Sequence, residues 1–370
     1  MATTVFKRDE VILLLGAGAS VEAGLLDSST MIDEIEKLIS SDPAWMCYRE
    51  LYRYVRSSIF FADGLDGVFD KNVPFNIERL VNVLDELLKK ERHALCPFVG
   101  AWNPKLQEVA GDDFKNVRDF RNLIVKILRD EWVTLSETEK AGYYEGLLRF
   151  QRQYEHPLRV FSLNFDLCVE QSCELKNVQR GFDLRVWDWR MFDETLDDSH
   201  SLLLYKLHGS LDWYFKDGQV LYSDAPTKIK ADEIALIFGT SYKLQYVDPF
   251  LFFAYELRRW TLDSARLIIC IGYGFNDEHI NGILGQALSR NNERKLLAVF
   301  GPSDDCDTLN VKIANLLGAN PSQMIVDNSG ARQFLESGLR ISRLAENFPA
   351  EADLMVEIMD SAEGRSGFSG

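Results

Sequence analysis

Apolar residues gather along this chain in two kinds of pattern. Residues 11–15 read VILLL, a continuous apolar run followed at once by glycine. A short run of this kind, ended by a turn residue, fits a strand buried on both faces of a parallel sheet. Similar runs recur at LRVFSLN (158–164), LLLYKLHG (202–209), IALIFG (234–239), RLIICIGYG (266–274) and KLLAVFG (295–301). Most end in Gly, Asn or His. The unusual residues therefore collect at the carboxyl tips of the strands, the edge along which open α/β sheets bind ligands.

From about residue 44 to 155 the period changes. Phe114, Val117, Phe120, Leu123, Ile124, Ile127, Leu128 and Trp132 follow helical spacing, as do Ile77, Leu80, Val81, Leu84, Leu87 and Leu88. This predicts a helical block inserted between the first strand unit and the rest of the sheet. No internal repeat and no low-complexity segment is present. The organisation expected is one α/β domain over residues 1–325, with the insertion at about 44–155. A C-terminal helical segment and a loose tail ending in EGRSGFSG are expected over 326–370.

Composition narrows the class. With 46% hydrophobic and 26% charged residues among 370, the chain is of globular type. A net charge of −16 argues against a dedicated nucleic-acid surface. Of six cysteines, only Cys168 and Cys173 are close, and C-x4-C alone is a poor zinc signature. Scattered cysteines suggest reduced, buried thiols and a cytoplasmic protein. Lys7 and Arg8 precede VILLL, but Asp9 and Glu10 abut it, and the run is too short for a secretory segment. No stretch approaches the roughly 18 apolar residues of a membrane span.

Four stretches carry candidate chemistry. The first is GAGAS, residues 16–20, with Gly24 beyond it. Glycines at a strand end let the backbone approach a phosphate, and the amides of the next turn point at the anion with a helix dipole behind them. Ser20 adds a hydroxyl donor. The same residues also suit an ordinary strand-to-helix turn, since a lone G-x-G is common. The usual dinucleotide fingerprint has a third glycine where Val21 stands. It also has an acid ending a second strand, whereas Asp33, Glu34 and Glu36 read as helical.

The second stretch is SLNFD, residues 162–166. Polar residues at the tip of a buried strand need partners or a cleft. Asn164 can both donate and accept, which suits ribose hydroxyls or a held water, and a helix N-cap explains Asn or Asp equally well. The third is KLHGSLDW, residues 206–213, where His208 sits at a strand tip before glycine. Most single histidines are structural, yet an imidazole is the natural general base at neutral pH. The fourth is CIGYGFNDEHI, residues 270–280, a second G-x-G followed by Asn276 and Asp277 as helix caps. No carboxylate pair, H-E-x-x-H, G-x-S-x-G, Walker lysine or metal-ligand spacing occurs.

Taken together and in this order, the four stretches resemble the sirtuin family. GAGASVEAG is similar to the sirtuin phosphate loop, and SLNFD stands in the place of that family's Thr-Gln-Asn-Ile-Asp element. KLHGSL resembles its His-Gly element, and IGYGFND resembles the late Gly-Thr-Ser or Gly-Tyr-Ser-Phe segment of the divergent branch. The resemblance covers about residues 8–50 and 155–305. Protein-deacylase sirtuins carry a four-cysteine zinc module after the His-Gly element, and no cysteine lies between Trp213 and Ile234. That departure, with the helical block, resembles the divergent sirtuin-like NAD hydrolases of bacterial antiphage defence. Among these, the stand-alone subunits that pair with a HerA-type ATPase are most similar.

The resemblance implies an α/β fold: a Rossmann-like parallel sheet of sirtuin type with a large helical insertion and no zinc module. It implies that NAD+ is the substrate, with no metal. Gly16, Ala17, Gly18, Ala19, Ser20 and Gly24 would hold the pyrophosphate. Asn164 and Asp166 would face the nicotinamide-side ribose, with His208 beside them. Gly272, Tyr273, Gly274 and Asp277 would approach the adenosine half. Asn164 and His208 would be the catalytic pair. The remainder after about residue 305 is short for a further domain, so control is expected from a homo-oligomer or a HerA-type ATPase partner. No membrane association and no direct nucleic-acid binding is expected. Competing readings are a deacylase or ADP-ribosyltransferase, a non-catalytic NAD-binding sensor, and a nucleic-acid-processing subunit.

Overall fold

A computed structural model describes residues 6–65, 67, 75–91, 103–193, 200–238, 248–302 and 305–348. Seven strands form the main sheet: β1 (Val11–Leu15), β2 (Leu158–Ser162), β3 (Val178–Gln179), β4 (Leu202–Lys206), β5 (Leu267–Ile271), β6 (Lys295–Val299) and β7 (Met324–Asp327). All neighbours are parallel, in the order β7-β6-β5-β1-β2-β4-β3. The architecture is the mixed α/β, Rossmann-like one.

The burial of β1 shows why its sequence is apolar at every position. Val11, Leu13 and Leu15 face a layer containing Leu147, Phe150 and Tyr154 of helix Gly146–Tyr154. Ile12 and Leu14 face the other way, into the core that holds Phe253 and Leu257 of helix Phe250–Asp263 and Leu284 and Leu288 of helix Glu278–Arg290. Helices cover both faces, so neither side of the strand tolerates a polar residue.

The chain builds one side of the sheet first, with β2, β3 and β4. It then crosses to the far side of β1 for β5, β6 and β7. The loops leaving β1 and β5 therefore part company at adjacent carboxyl ends. That is a topological switch point, where sheets of this kind bind ligands.

A second, antiparallel sheet was not foreseen. Its strands are Phe182–Asp183, Val186–Trp187, Gly209–Lys216, Gln219–Tyr222 and Ile234–Leu236. The IALIFG run, expected to belong with the parallel strands, pairs here against Gly209–Lys216. An apolar run shows that a strand is buried, not which sheet buries it.

The helical stretch divides between two cores. Helices Thr30–Ser41, Arg49–Leu65, Ile77–Glu91, Pro104–Ala110 and Lys115–Ile127 pack together around Ile35, Val55, Leu80, Leu84, Phe120 and Ile124. This core also takes in Leu211, Ile234 and Leu236 of the second sheet. Arg121 ties the block down through Asp85 and the Ala231 carbonyl, and Arg129 does so through the Ile229 carbonyl. Tyr143, Tyr144 and helix Gly146–Tyr154 instead lie against the main sheet. Among the described residues no helix is long and apolar enough to cross a membrane. Residues 349–370, which include the tail expected to be loose, lie outside the described residues, as does Cys96.

Candidate active site

At the switch point the two G-x-G loops stack on one another. Gly16 donates its amide to the Ile271 carbonyl and Gly18 donates to the Gly272 carbonyl, each at 2.9 Å. A Cβ on Gly16 would lie 2.6 Å from the Gly272 oxygen, and one on Gly272 only 2.0 Å from the Ala19 nitrogen. Gly272 also has φ +62°, a conformation that side chains disfavour. These glycines are thus required first by loop-to-loop contact.

The first loop differs from expectation in two respects. Ala17–Ala19 and Val21–Ala23 form short 3-10 turns, and the next α-helix begins only at Thr30, so no helix follows the loop directly. The amides of Gly16, Gly18, Ala19 and Ser20 all donate to backbone carbonyls. Gly24 stands exposed in the left-handed conformation at the end of the second turn, and Ala19 is buried. Neither lines the cleft that the other named residues share.

The Ser20 hydroxyl is also committed. It donates to Asp166 Oδ2 at 2.7 Å and accepts from Asn164 Nδ2 at 3.2 Å. With its one proton spent on the carboxylate, it must be the acceptor from the Tyr144 hydroxyl at 2.9 Å. Ser20 therefore braces the site and is not a free phosphate donor. Tyr143 completes the brace by donating to the Ala19 carbonyl at 2.6 Å. The tyrosine pair carries no periodic signal in the sequence and was missed.

Asn164 has one fixed orientation. Its Nδ2 donates to the Gly16 carbonyl at 3.0 Å, and that oxygen can only accept. Oδ1 is consequently turned away, buried and without a hydrogen-bond partner among the described residues. An orphaned buried acceptor costs about 1–3 kcal/mol. Asp166 serves as a turn carboxylate, with Oδ1 accepting from the Cys168 amide at 3.0 Å, while the cap position of helix Cys168–Ser172 is Leu167, with no side-chain cap hydrogen bond.

His208 occupies the turn between β4 and the strand Gly209–Lys216. Gly209 follows it for a physical reason: φ is +88°, and a Cβ would meet the Ala235 oxygen at 2.0 Å. Across the switch point, His208 Nε2 lies 3.3 Å from Asp277 Oδ2, with both side chains almost wholly buried. Asp277, expected on the adenosine side, lies against the histidine and lines the same cleft. Tyr273, also expected to be a ligand contact, packs its ring on Phe275 and donates its hydroxyl to Asn281 Oδ1 at 2.9 Å.

Beneath the site, Lys206 ends β4 with almost no exposure. Its ammonium donates to the Asp166 carbonyl and lies 3.5 Å from Glu170 Oε1. Burial pushes the Glu170 carboxyl above its ordinary range, and Lys206 pulls the other way. A lysine closing the apolar run LLLYK is the sequence signal for this buried charge. Lys206→Met is expected to destabilise the protein by about 3–5 kcal/mol, because it strands a buried carboxylate. A denaturant midpoint equal to wild type would refute this.

Cys168 and Cys173 are buried, and burial pushes both thiols up, Cys173 to about 12. They are packing residues. Cys47, by contrast with the expectation of buried thiols, is exposed. Among the described residues no group of three or more His, Cys, Asp or Glu is placed to hold a metal ion.

Gly16, Ala17, Gly18, Ser20, Asn164, Asp166, His208, Gly272, Tyr273, Gly274 and Asp277 line one cleft of about 970 Å³. That is near the top of the range of about 300–1,000 Å³ for ligand pockets. The outer wall comes from the helical block, which contributes Asp63 from helix Arg49–Leu65 and Arg79 and Asn82 from helix Ile77–Glu91. Arg79 grips Asp63 through two hydrogen bonds, of 3.0 and 2.5 Å. It is the single Lys or Arg among the described lining residues.

Residues 158–316 match the family model described as a SIR2-like domain. The matched span holds Asn164, Asp166, His208 and the second G-x-G, and leaves out the GAGAS loop and the helical block. The match supports a sirtuin-like family and NAD-related activity. No curated protein matches the chain.

Proposed function

We propose that this chain is an NAD+ hydrolase that cleaves the nicotinamide–ribose bond. The observation that carries the reading is the buried, unsatisfied Oδ1 of Asn164, which lines the same cleft as His208. A water or ribose hydroxyl would satisfy that oxygen. Expelling nicotinamide requires no protonation of the leaving group, since the departing base is neutral. The barrier lies in the oxocarbenium-like ribose, which fixed dipoles stabilise. Asn164 orients the attacking water, and His208 takes its proton.

The loop amides are largely spent inside the protein, so the pyrophosphate charge falls to Arg79. Arg79→Gln is expected to raise KM for NAD about tenfold, the lower end for losing a hydrogen bond to a charged group. An unchanged KM would remove Arg79 from the binding surface.

In this reading the activity depletes cellular NAD as the effector of an abortive-infection antiphage system. The chain works as a homo-oligomer held in check by a HerA-type ATPase partner. The test is nicotinamide release from NAD by the purified chain, alone and with a co-expressed ATPase of that type, with products resolved by chromatography. Binding of NAD without release under either condition would favour a sensor over a hydrolase. Absence of any complex with the ATPase would remove the partner from the reading.

A further inference from the structure

Asp277 has two carboxylate oxygens with two separate tasks. Oδ1 accepts from the His279 and Ile280 amides, at 3.0 and 3.3 Å, and so caps helix Glu278–Arg290. Oδ2 is aimed at His208 Nε2, 3.3 Å away. The cap holds the carboxylate in one orientation, and the amino end of the helix favours its negative charge. The two residues come from opposite sides of β1, so the contact exists only in the assembled sheet.

We propose that Asp277 is a positioning residue for His208: it holds the imidazole in the Nε2–H tautomer and makes Nδ1 the basic nitrogen. The inference rests on the reading of His208 as general base. The nitrogen that carries the proton in a neutral imidazole is set by the partner of that nitrogen, and a carboxylate accepts only. In the reaction, the attacking water gives a proton to Nδ1 as its oxygen bonds to the anomeric carbon of the ribose. The bond from that carbon to nicotinamide breaks, and its electron pair stays with the departing base. The ring becomes imidazolium with a proton on each nitrogen, and the Asp277 charge at Nε2 stabilises it.

Asp277→Asn separates the two tasks. Asparagine caps helices as well as aspartate does, so the fold is retained while the charge at Nε2 is removed. In the full-length protein, kcat for NAD cleavage is expected to fall by about 10²–10⁴-fold with KM within about threefold of wild type. A merely structural role would move stability and KM instead. A second readout is independent of activity: nitrogen-15 correlation spectra of histidine-labelled protein, with imidazoles neutral and His208 assigned from His208→Gln. They should show His208 as the Nε2–H tautomer in wild type. An Nδ1–H tautomer, or wild-type kcat in Asp277→Asn, overturns the proposal. If wild type cleaves no NAD, the hydrolase reading falls, and the tautomer still decides whether Asp277 sets the ring.

Discussion

Asn164→Ala and His208→Ala are each expected to lower nicotinamide release by about 10²–10⁴-fold while NAD still binds, the range for losing a positioned general base or the group that orients its water. The two substitutions differ in their cost to the fold. Asn164→Ala removes the hydrogen bonds to the Gly16 carbonyl and to Ser20 but also the orphaned Oδ1, so the two effects offset and stability should stay within about 1 kcal/mol of wild type. His208→Ala keeps the Asp277 Oδ1 cap on its helix but removes the imidazole facing the buried Oδ2, so it lowers stability. Titration of each variant with NAD, beside product analysis, separates lost chemistry from lost binding. Release at the wild-type rate by either variant would take that residue out of the reaction.

The second large effect lies in the glycine loops. Gly272→Ala is expected to destabilise the protein by at least about 2 kcal/mol and to abolish tight NAD binding. The left-handed backbone at φ +62° costs an alanine about 1–2 kcal/mol, and its Cβ drives into the Ala19 nitrogen of the facing loop. Gly274, two residues on, gives the contrast. An added Cβ there first meets the Asn276 side chain at 3.1 Å, a group that can move aside. Gly274→Ala should therefore shift stability by no more than about 0.5 kcal/mol. Equal denaturation midpoints for the two variants would contradict the picture of stacked loops.

Much of the main sheet was legible in the sequence because its strands are buried on both faces and so read as unbroken apolar runs. The second sheet was not. Its strands at Phe182–Asp183 and Val186–Trp187 are two residues each, too short for a period to show. The edge strand β3 was missed for the same reason.

Within the site, residues at strand tips stood out because Asn, His and Gly interrupt apolar runs. The readings that needed a distant partner did not. Ser20 looks like a phosphate donor until Asp166 and Tyr144 are placed against it. Asp277 was legible as a helix cap from its own neighbourhood, but its contact with His208 depends on how the sheet is wound. Arg79 and Asp63 lie on amphipathic helices, where a charged residue is ordinarily a solvated one.

The winding of the sheet also bears on how the protein is made. β1 is central, yet its neighbours β2 and β5 come much later in the chain. Positions 16 to 157, or 142 residues, separate β1 from β2. At a synthesis rate of about 5–20 residues per second, VILLL waits roughly 7–30 s for its first pairing partner. The intervening helices can condense locally in that time, whereas a five-residue apolar strand has nothing native to pair with. Recovery of folded protein then depends on whether that strand meets β2 before it meets another nascent chain.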